Sequence, residues 1–372
     1  MKKSDAIIFI GPLPPPVNGH SLAFQYAFQG FNGNKRMISQ NWEGKRVLYK
    51  VFFSFWVLFK YLACFIKYRR TVIYIAGSRS ISGALKDILA IYMAKWFSSK
   101  IVLHIHAAYF DKFLDGLPFL IRGFYLKAYR HVNCFIALHE CMLNEYNRFM
   151  PGSRLEVVHN FYDPVLELPD PFVEKTADRF RILFLSNLVF SKGILQLVEA
   201  FKKLQLKHSN LELYVAGAFQ KDDHYDEVWM KEEFEKKTKG VSGIKYYGMV
   251  QGERKASLLR CSHIFVLPSF YSSEAMPISI LEACRAGCAI VTTDHHYLKQ
   301  LVDESMGICV RPNSVDDLVA GLDRLICHPE LLRRMGMNNL EYSKNNFTLA
   351  LYQKKINSLL IQLSDGEADA AE

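Results

Sequence analysis

A chain of 372 residues exceeds what one hydrophobic core usually serves, so two domains are expected. Half of its residues are apolar and 22% are charged, the composition of a folded soluble chain rather than a disordered one. The net charge of +9 is uneven: residues 1–165 carry 21 Lys and Arg against 9 Asp and Glu, and the remainder carries 25 against 28. A basic first half points to an anionic partner, whether nucleic acid, a phosphorylated substrate or a membrane surface.

The start, MKKSDAIIFIG, has a basic lead but a brief apolar run and no small-x-small cleavage pattern, so no signal peptide is expected. Residues 6–11 (AIIFIG) read as a strand that runs into GPLPPPVNGHSLAF. Proline stiffens this loop and Gly19 lets the backbone turn, with His20 and Ser21 opening a helix. Such a loop either brings backbone N–H groups against a substrate or phosphate, or is a rigid strand-to-helix connection. It is neither GxGxxG nor a P-loop, because no Gly-Lys-Ser/Thr follows.

Residues 47–70 read VLYKVFFSFWVLFKYLACFIKYRR, and the longest uncharged stretch, Val51 to Phe59, is nine residues. A spanning helix needs roughly 20 apolar residues, so this segment does not cross a bilayer unless Lys60 is buried in lipid. Two readings remain for a helix over 47–67. It packs inside an α/β domain, or it rests an aromatic face on the bilayer between Lys45, Arg46, Lys67, Arg69 and Arg70.

Further strands are expected at 71–77, 101–107, 134–138 and 155–160, with helices over 81–98 and 118–130 between them. These strands are nearly continuous apolar runs, as in parallel sheets covered on both faces. In IVLHIHA, His104 and His106 point the same way. His104 reads as a core histidine; His106, at the carboxyl edge of the sheet, is the site candidate. Asn160 and Asp163 in HNFYDP serve a turn or a ligand. Residues 161–180, with three prolines and no periodicity, look like a linker.

After the linker the alternation restarts, with strands expected at 181–187, 211–217, 243–250, 263–268 and 288–293. The economical architecture is two doubly wound α/β domains, 1–168 and 169–344, with ligands beyond the carboxyl ends of the strands. Lys192 and Gly193 then open an amphipathic helix, where a lysine opposes the helix dipole. Its place makes sense if an anion such as a diphosphate lies between Lys192 and the backbone amides; otherwise it is a solvated lysine. In SSEAMPISILEACRAG, Glu274 falls in the loop after a strand, Pro277 suits a first helical position, and Glu282 lies further along that helix. Carboxylates accept hydrogen bonds from paired hydroxyls, as ribose and hexose provide, and the amides around Ala275, Met276 and Pro277 suit phosphate.

A helix is expected over 345–363, with a disordered acidic tail at 364–372. The eight cysteines are scattered without a CxxC pair and read as reduced thiols. Cys284 and Cys288 could share a helix face, but two ligands do not make a zinc site.

Taken together, Glu274-x7-Glu282 within SEAMPISILEA, SKG after the first strand of the second half, GPLPPPVNG and HIHAAY resemble the family-4, group 1, retaining glycosyltransferases of GT-B fold. The resemblance covers nearly the whole chain in the right order. It implies two Rossmann-like domains facing a cleft, with the donor held mainly by the second and the last helix crossing back to the first. It assigns Glu282 to the nucleotide ribose, Glu274 to hydroxyls of the transferred sugar, and Lys192 to the diphosphate. The loop at Gly19 would approach phosphates and sugar, and His106 would line the reaction centre. Many members carry arginine where this chain has Asn187, five residues before the lysine, so phosphate neutralisation would rest more on Lys192 and amides.

The implied reaction moves a hexose-type sugar from a UDP- or GDP-sugar to a saccharide hydroxyl with retention, in bacterial surface polysaccharide assembly. No DxD follows an apolar strand, in keeping with metal-independent transfer without a cofactor. The basic first half and the 47–67 segment fit a polyprenyl-linked acceptor and a peripheral place on the anionic cytoplasmic face of the membrane. A sugar-nucleotide epimerase shares the fold and donor, and is distinguished by converting its donor without an acceptor. A nucleic-acid-binding protein would use the basic half, but the basic residues are dispersed and no such module is present.

Overall fold

The computed structural model describes residues 6–15, 17–39, 59–150, 152–167, 175 and 179–365. The chain forms two compact units, Met1–His159 with Ala350–Glu372, and Asn160–Leu349. In the first, β1 (Ile7–Gly11), β2 (Lys35–Ser39), β3 (Val72–Gly77), β4 (Lys100–Ile105), β5 (Cys134–Ala137) and β6 (Arg154–Val157) form one sheet in the order β2-β1-β3-β4-β5-β6. In the second, β7 (Phe180–Leu185), β8 (Leu211–Ala216), β9 (Ile244–Tyr246), β10 (Ile264–Leu267), β11 (Ala289–Thr293) and β12 (Gly307–Val310) run in the order β12-β11-β10-β7-β8-β9. Every pairing is parallel, as the apolar runs led one to expect.

Two strands escape the sequence reading, β2 and β12. Both are edge strands, and their half-exposed residues break the continuous apolar pattern that marks the buried strands. The central strands β1, β3, β8, β10 and β11 are buried throughout. Helices follow from spacing and caps. Ser314 accepts the Asp317 N–H to open helix Val315–Cys327, which buries Leu318, Gly321, Leu322 and Leu325 along one stripe. Helix Ile194–Gln205 buries seven side chains in the same way, and each large apolar one contributes roughly 2 kcal/mol.

The units exchange at His159–Asn160 rather than at 168–169. Phe161 and Tyr162 are buried in the second unit, where the Tyr162 N–H bonds the Phe347 carbonyl at 3.0 Å. The last helix is Leu349–Asp365, starting later than expected because 329–346 is a helix of its own. Within the first unit it packs on helix Gly19–Gly30: Tyr352 Oη donates to Ala23 O at 2.9 Å, Gln353 to Tyr26 O at 3.0 Å and Asn357 to Gly30 O at 2.8 Å. Of the 47–67 helix, 59–67 is helical and the remainder lies outside the described residues, as do half of the 161–180 linker and the tail from 366. All eight cysteines are free thiols, and Cys288 lies beyond the helix that holds Cys284.

Asn339, fully buried, ties helix Pro329–Asn346 to the second sheet, donating to the carbonyls of Cys288 and Met306, each at 2.8 Å, ahead of β11 and β12. Asn339→Leu strands those carbonyls, and a loss of about 2 kcal/mol is expected in urea unfolding. An unchanged midpoint would show that the amide holds nothing.

Candidate functional site

Strand order reverses between β7 and β10 in the second sheet, so the loops leaving these two strands part and open a crevice at their carboxyl ends. After β7, the Asn187 side chain donates to Gln220 at 2.9 Å. The chain then makes one 3-10 turn, Phe190–Lys192, before helix Ile194–Gln205. Lys192 therefore precedes the helix rather than opening it. Gly193 between them has φ 77°, and a Cβ there would lie 2.2 Å from the carbonyl oxygen of Pro268. Only glycine allows the β7 loop to press this closely on the β10 loop. Ser191 locks the contact, its N–H and hydroxyl both on Asp222 (2.8 and 2.7 Å) and its carbonyl accepting the Phe270 N–H at 2.7 Å.

That approach carries the Lys192 ammonium to Glu274 on the β10 loop, where the two form an ion pair. Ser269 donates to the same carboxylate oxygen at 2.8 Å, and the Tyr271 ring lies 5.0 Å from the ammonium. The lysine side chain is 14% exposed and the glutamate 8%, so the solvated-lysine reading does not hold. His295 reaches the Tyr271 carbonyl at 3.2 Å, adding a hold from the loop after β11.

Past Glu274 the loop buries Ala275 and Met276. Asn160 holds it, donating from its side chain to the Met276 carbonyl at 2.8 Å. Pro277 is the cap before helix Ile278–Arg285, not its first residue, and the leading N–H groups of that helix have no intrahelical acceptor. Glu282, buried on this helix, meets a second lysine: Lys255 donates to it at 2.6 Å and to Asp163 at 3.0 Å. Burial pushes the Glu282 carboxyl up, and Lys255 offsets this only in part. Burial pulls the Lys255 ammonium down, but Glu282 and Asp163 outweigh it and hold it above its ordinary value.

In the first unit, Asn18 caps helix Gly19–Gly30 in a reciprocal box with Ser21. Gly19 is the first residue of that helix, one position before the expected start at His20, and its φ is not positive. His20 and His106 lie near one another, ring centroids 5.1 Å apart, and His104 is 3.9 Å from His106. His104 is a buried core residue bonded to Tyr74 Oη at 2.6 Å, whereas neither ring nitrogen of His106 has a hydrogen-bond partner among the described residues. Burial pulls His20 down to about 4 and His104 to about 3, and takes His106 well below its usual range, so all three are neutral near pH 7.

The structure thus brings Lys192 to Glu274 and gives Glu282 a partner of its own, while Asn187 is held by Gln220. Asp163 takes the turn role, accepting the Val165 N–H at 3.1 Å, and also pairs with Lys255 at 3.0 Å. Lys255, Ser269 and Asp222 were missed. Lys255 looks like any charge on the amphipathic helix Gly252–Arg260, and only tertiary packing turns it toward Glu282.

Residues 170–342 match the family described as Glycosyl transferases group 1. An uncharacterised glycosyltransferase of Methanocaldococcus jannaschii is 29% identical over 178 residues, which cover 48% of this chain and 41% of that relative. The chain therefore spans less than half the length of this curated relative. Among solved structures, sucrose-phosphate synthase of Thermosynechococcus elongatus superposes with a TM-score of 0.76 at 16% identity, over 96% of this chain and 99% of that one. Anabaena HepE, solved in complex with UDP, gives 0.72 at 13% identity, over 96% of this chain and 100% of its own. These two likenesses establish the GT-B arrangement of parallel sheets flanked by helices.

Lys255→Met removes the counter-charge from Glu282, whose carboxyl then moves further up. A carboxyl with a folded pKa above its unfolded value keeps in the native state a proton that the unfolded chain releases, so stability falls as pH rises through that window. The deficit of Lys255→Met against the parent chain should widen as pH rises above the ordinary carboxylate range, reaching on the order of 3 kcal/mol in urea unfolding. A deficit that does not change with pH would clear Glu282 of responsibility.

Proposed function

We propose, for a chain whose residues 170–342 match the family Glycosyl transferases group 1, that it is a glycosyltransferase drawing on a nucleotide diphosphate sugar. The finer reading is transfer of a hexose-type sugar from a UDP- or GDP-sugar to a saccharide hydroxyl, with retention of anomeric configuration. The observation that carries it is the pair of buried lysine–glutamate contacts at the β7–β10 crevice. Each of the two carboxylates there is held in place by its own lysine, which suits it to accept hydrogen bonds from vicinal hydroxyls.

In this reading Glu282, fixed by Lys255, takes the ribose, and Glu274, fixed by Lys192 and Ser269, takes hydroxyls of the transferred sugar. The diphosphate lies against the N–H groups of Ala275 and Met276 and, beyond Pro277, the start of the following helix, with Lys192 supplying positive charge. Asn187 adds hydrogen bonding but no charge there. As the sugar–phosphate bond breaks, negative charge grows on the diphosphate, and Lys192 stabilises it in a site from which water is largely excluded. A diphosphate oxygen can then take the acceptor proton, so a metal is not required. The neutral imidazole of His106, with unpaired ring nitrogens, suits a hydroxyl better than an anion. HepE's complex with UDP is the pattern followed for the donor.

A lipid-linked acceptor at an anionic membrane face, in surface polysaccharide assembly, is supported by the surface of the first unit. Helices Ile81–Trp96 and Phe119–Tyr129 pack together and leave Trp96 and Phe119 each 86% exposed and Leu120 70% exposed. Lys95 adjoins Trp96 in the last turn of the first helix, the end that meets His131, while Phe119 and Leu120 open the second helix. No described helix is long and apolar enough to cross a membrane.

Glu274→Gln and Glu282→Gln should each lower sugar transfer by at least about 100-fold while circular dichroism still reports a folded chain, with Tm lowered by the loss of the ion pair. Parent-like turnover in either folded variant would sink the assignment. For the membrane reading, Trp96→Ser with Phe119→Ser should remove most co-sedimentation with anionic phospholipid vesicles; unchanged co-sedimentation would discard this surface as the contact.

A further inference from the structure

On helices of the second unit that none of the crevice residues occupy, His208, Asp323 and Cys327 bring an imidazole nitrogen, a carboxylate oxygen and a thiol sulfur within 4.8 Å of one another. Asp323 and Cys327 are four residues apart on helix Val315–Cys327 and so share a face. His208 comes from the turn that ends helix Ile194–Gln205, its N–H on the Leu204 carbonyl at 2.9 Å, and the two helices pack against each other. His208 Nε2 lies 2.7 Å from one Asp323 oxygen, and Lys207 Nζ lies 3.2 Å from the other. His208 and Asp323 are half-buried and Cys327 is exposed, so a solute reaches the cluster from one side while the helices fix its other side.

We propose that these three side chains form a binding site for a borderline-soft divalent cation, zinc in the first instance, which clips the end of helix 194–205 to helix 315–327. A surface ion pair needs no third partner. What sets this cluster apart is that nitrogen, oxygen and sulfur donors from two packed helices converge, which is the ligand chemistry of zinc. Magnesium and calcium take oxygen donors and find one carboxylate here. Three protein ligands leave a fourth, tetrahedral position for water. Binding replaces the His208–Asp323 hydrogen bond, converts the Cys327 thiol to thiolate and releases its proton to solvent; nothing is oxidised. Carboxylate and thiolate balance the two charges of the ion, and the Lys207 ammonium turns outward.

The site is separate from the crevice, so it stands or falls independently of the transferase reading. Metal-stripped full-length protein is titrated with cobalt(II). The expected result is one equivalent bound, with a thiolate-to-cobalt charge-transfer band and the intense visible bands of a tetrahedral ion, both bleached by zinc(II). Zinc(II), and not magnesium(II), raises the Tm. Cys327→Ser abolishes the charge-transfer band, Cys327→Ser and His208→Ala each weaken zinc binding by at least about tenfold, and Cys309→Ser leaves both unchanged. Absence of stoichiometric cobalt binding, or a charge-transfer band that survives Cys327→Ser, overturns the proposal.

Discussion

The close approach of the β7 and β10 loops is the constraint on which the rest of the crevice depends. Gly193 permits it, because any side chain there would strike the Pro268 carbonyl, and Ser191 secures it through Asp222 and Phe270. With the loops in contact, Lys192 and Glu274 must share one small volume, and neither charge could be buried there alone. The pairing is thus a consequence of backbone geometry before it is a device for chemistry. On the proposed reading, a donor diphosphate would meet a lysine already committed to a carboxylate and would redistribute an existing interaction rather than capture a free cation.

The second pairing follows a different logic. Glu282 sits in a helix whose first turn follows the Glu274 loop, and its carboxyl is shielded enough to be pushed up despite Lys255. Asp163, at the start of the second unit, shares the same ammonium. A three-membered charge cluster of this kind fixes the carboxylate more firmly than one lysine would, at a desolvation cost that a merely structural residue could avoid by being apolar. That cost is the physical reason to regard Glu282 as a ligand rather than as part of the core.

Much of the fold is legible in the sequence because parallel strands buried on both faces are written as continuous apolar runs. AIIFIG, TVIYIAG and HIFVLP announce themselves, whereas the edge strands KRMIS and GICV do not. The glutamates were readable for the same reason: Glu274 lies just beyond a strong strand and Glu282 within a helix bounded by Pro277 and Gly287. Lys255 was not, since nothing local separates a lysine that faces solvent from one that reaches a carboxylate 27 positions away in the chain. The loop at Gly19 shows the converse. Its prolines and glycine suggested a stiff loop that turns at Gly19, but Asn18 satisfies the helix start and the glycine is needed for no special backbone angle.

The central claim is that the β7–β10 crevice holds a nucleotide diphosphate sugar. Isothermal titration of the intact chain with a panel of UDP- and GDP-sugars, followed by assay for slow release of nucleoside diphosphate, addresses it most directly. The account predicts that one donor binds one-to-one and is slowly hydrolysed in the absence of acceptor. Failure of every nucleotide sugar to bind, with the protein folded, would contradict it.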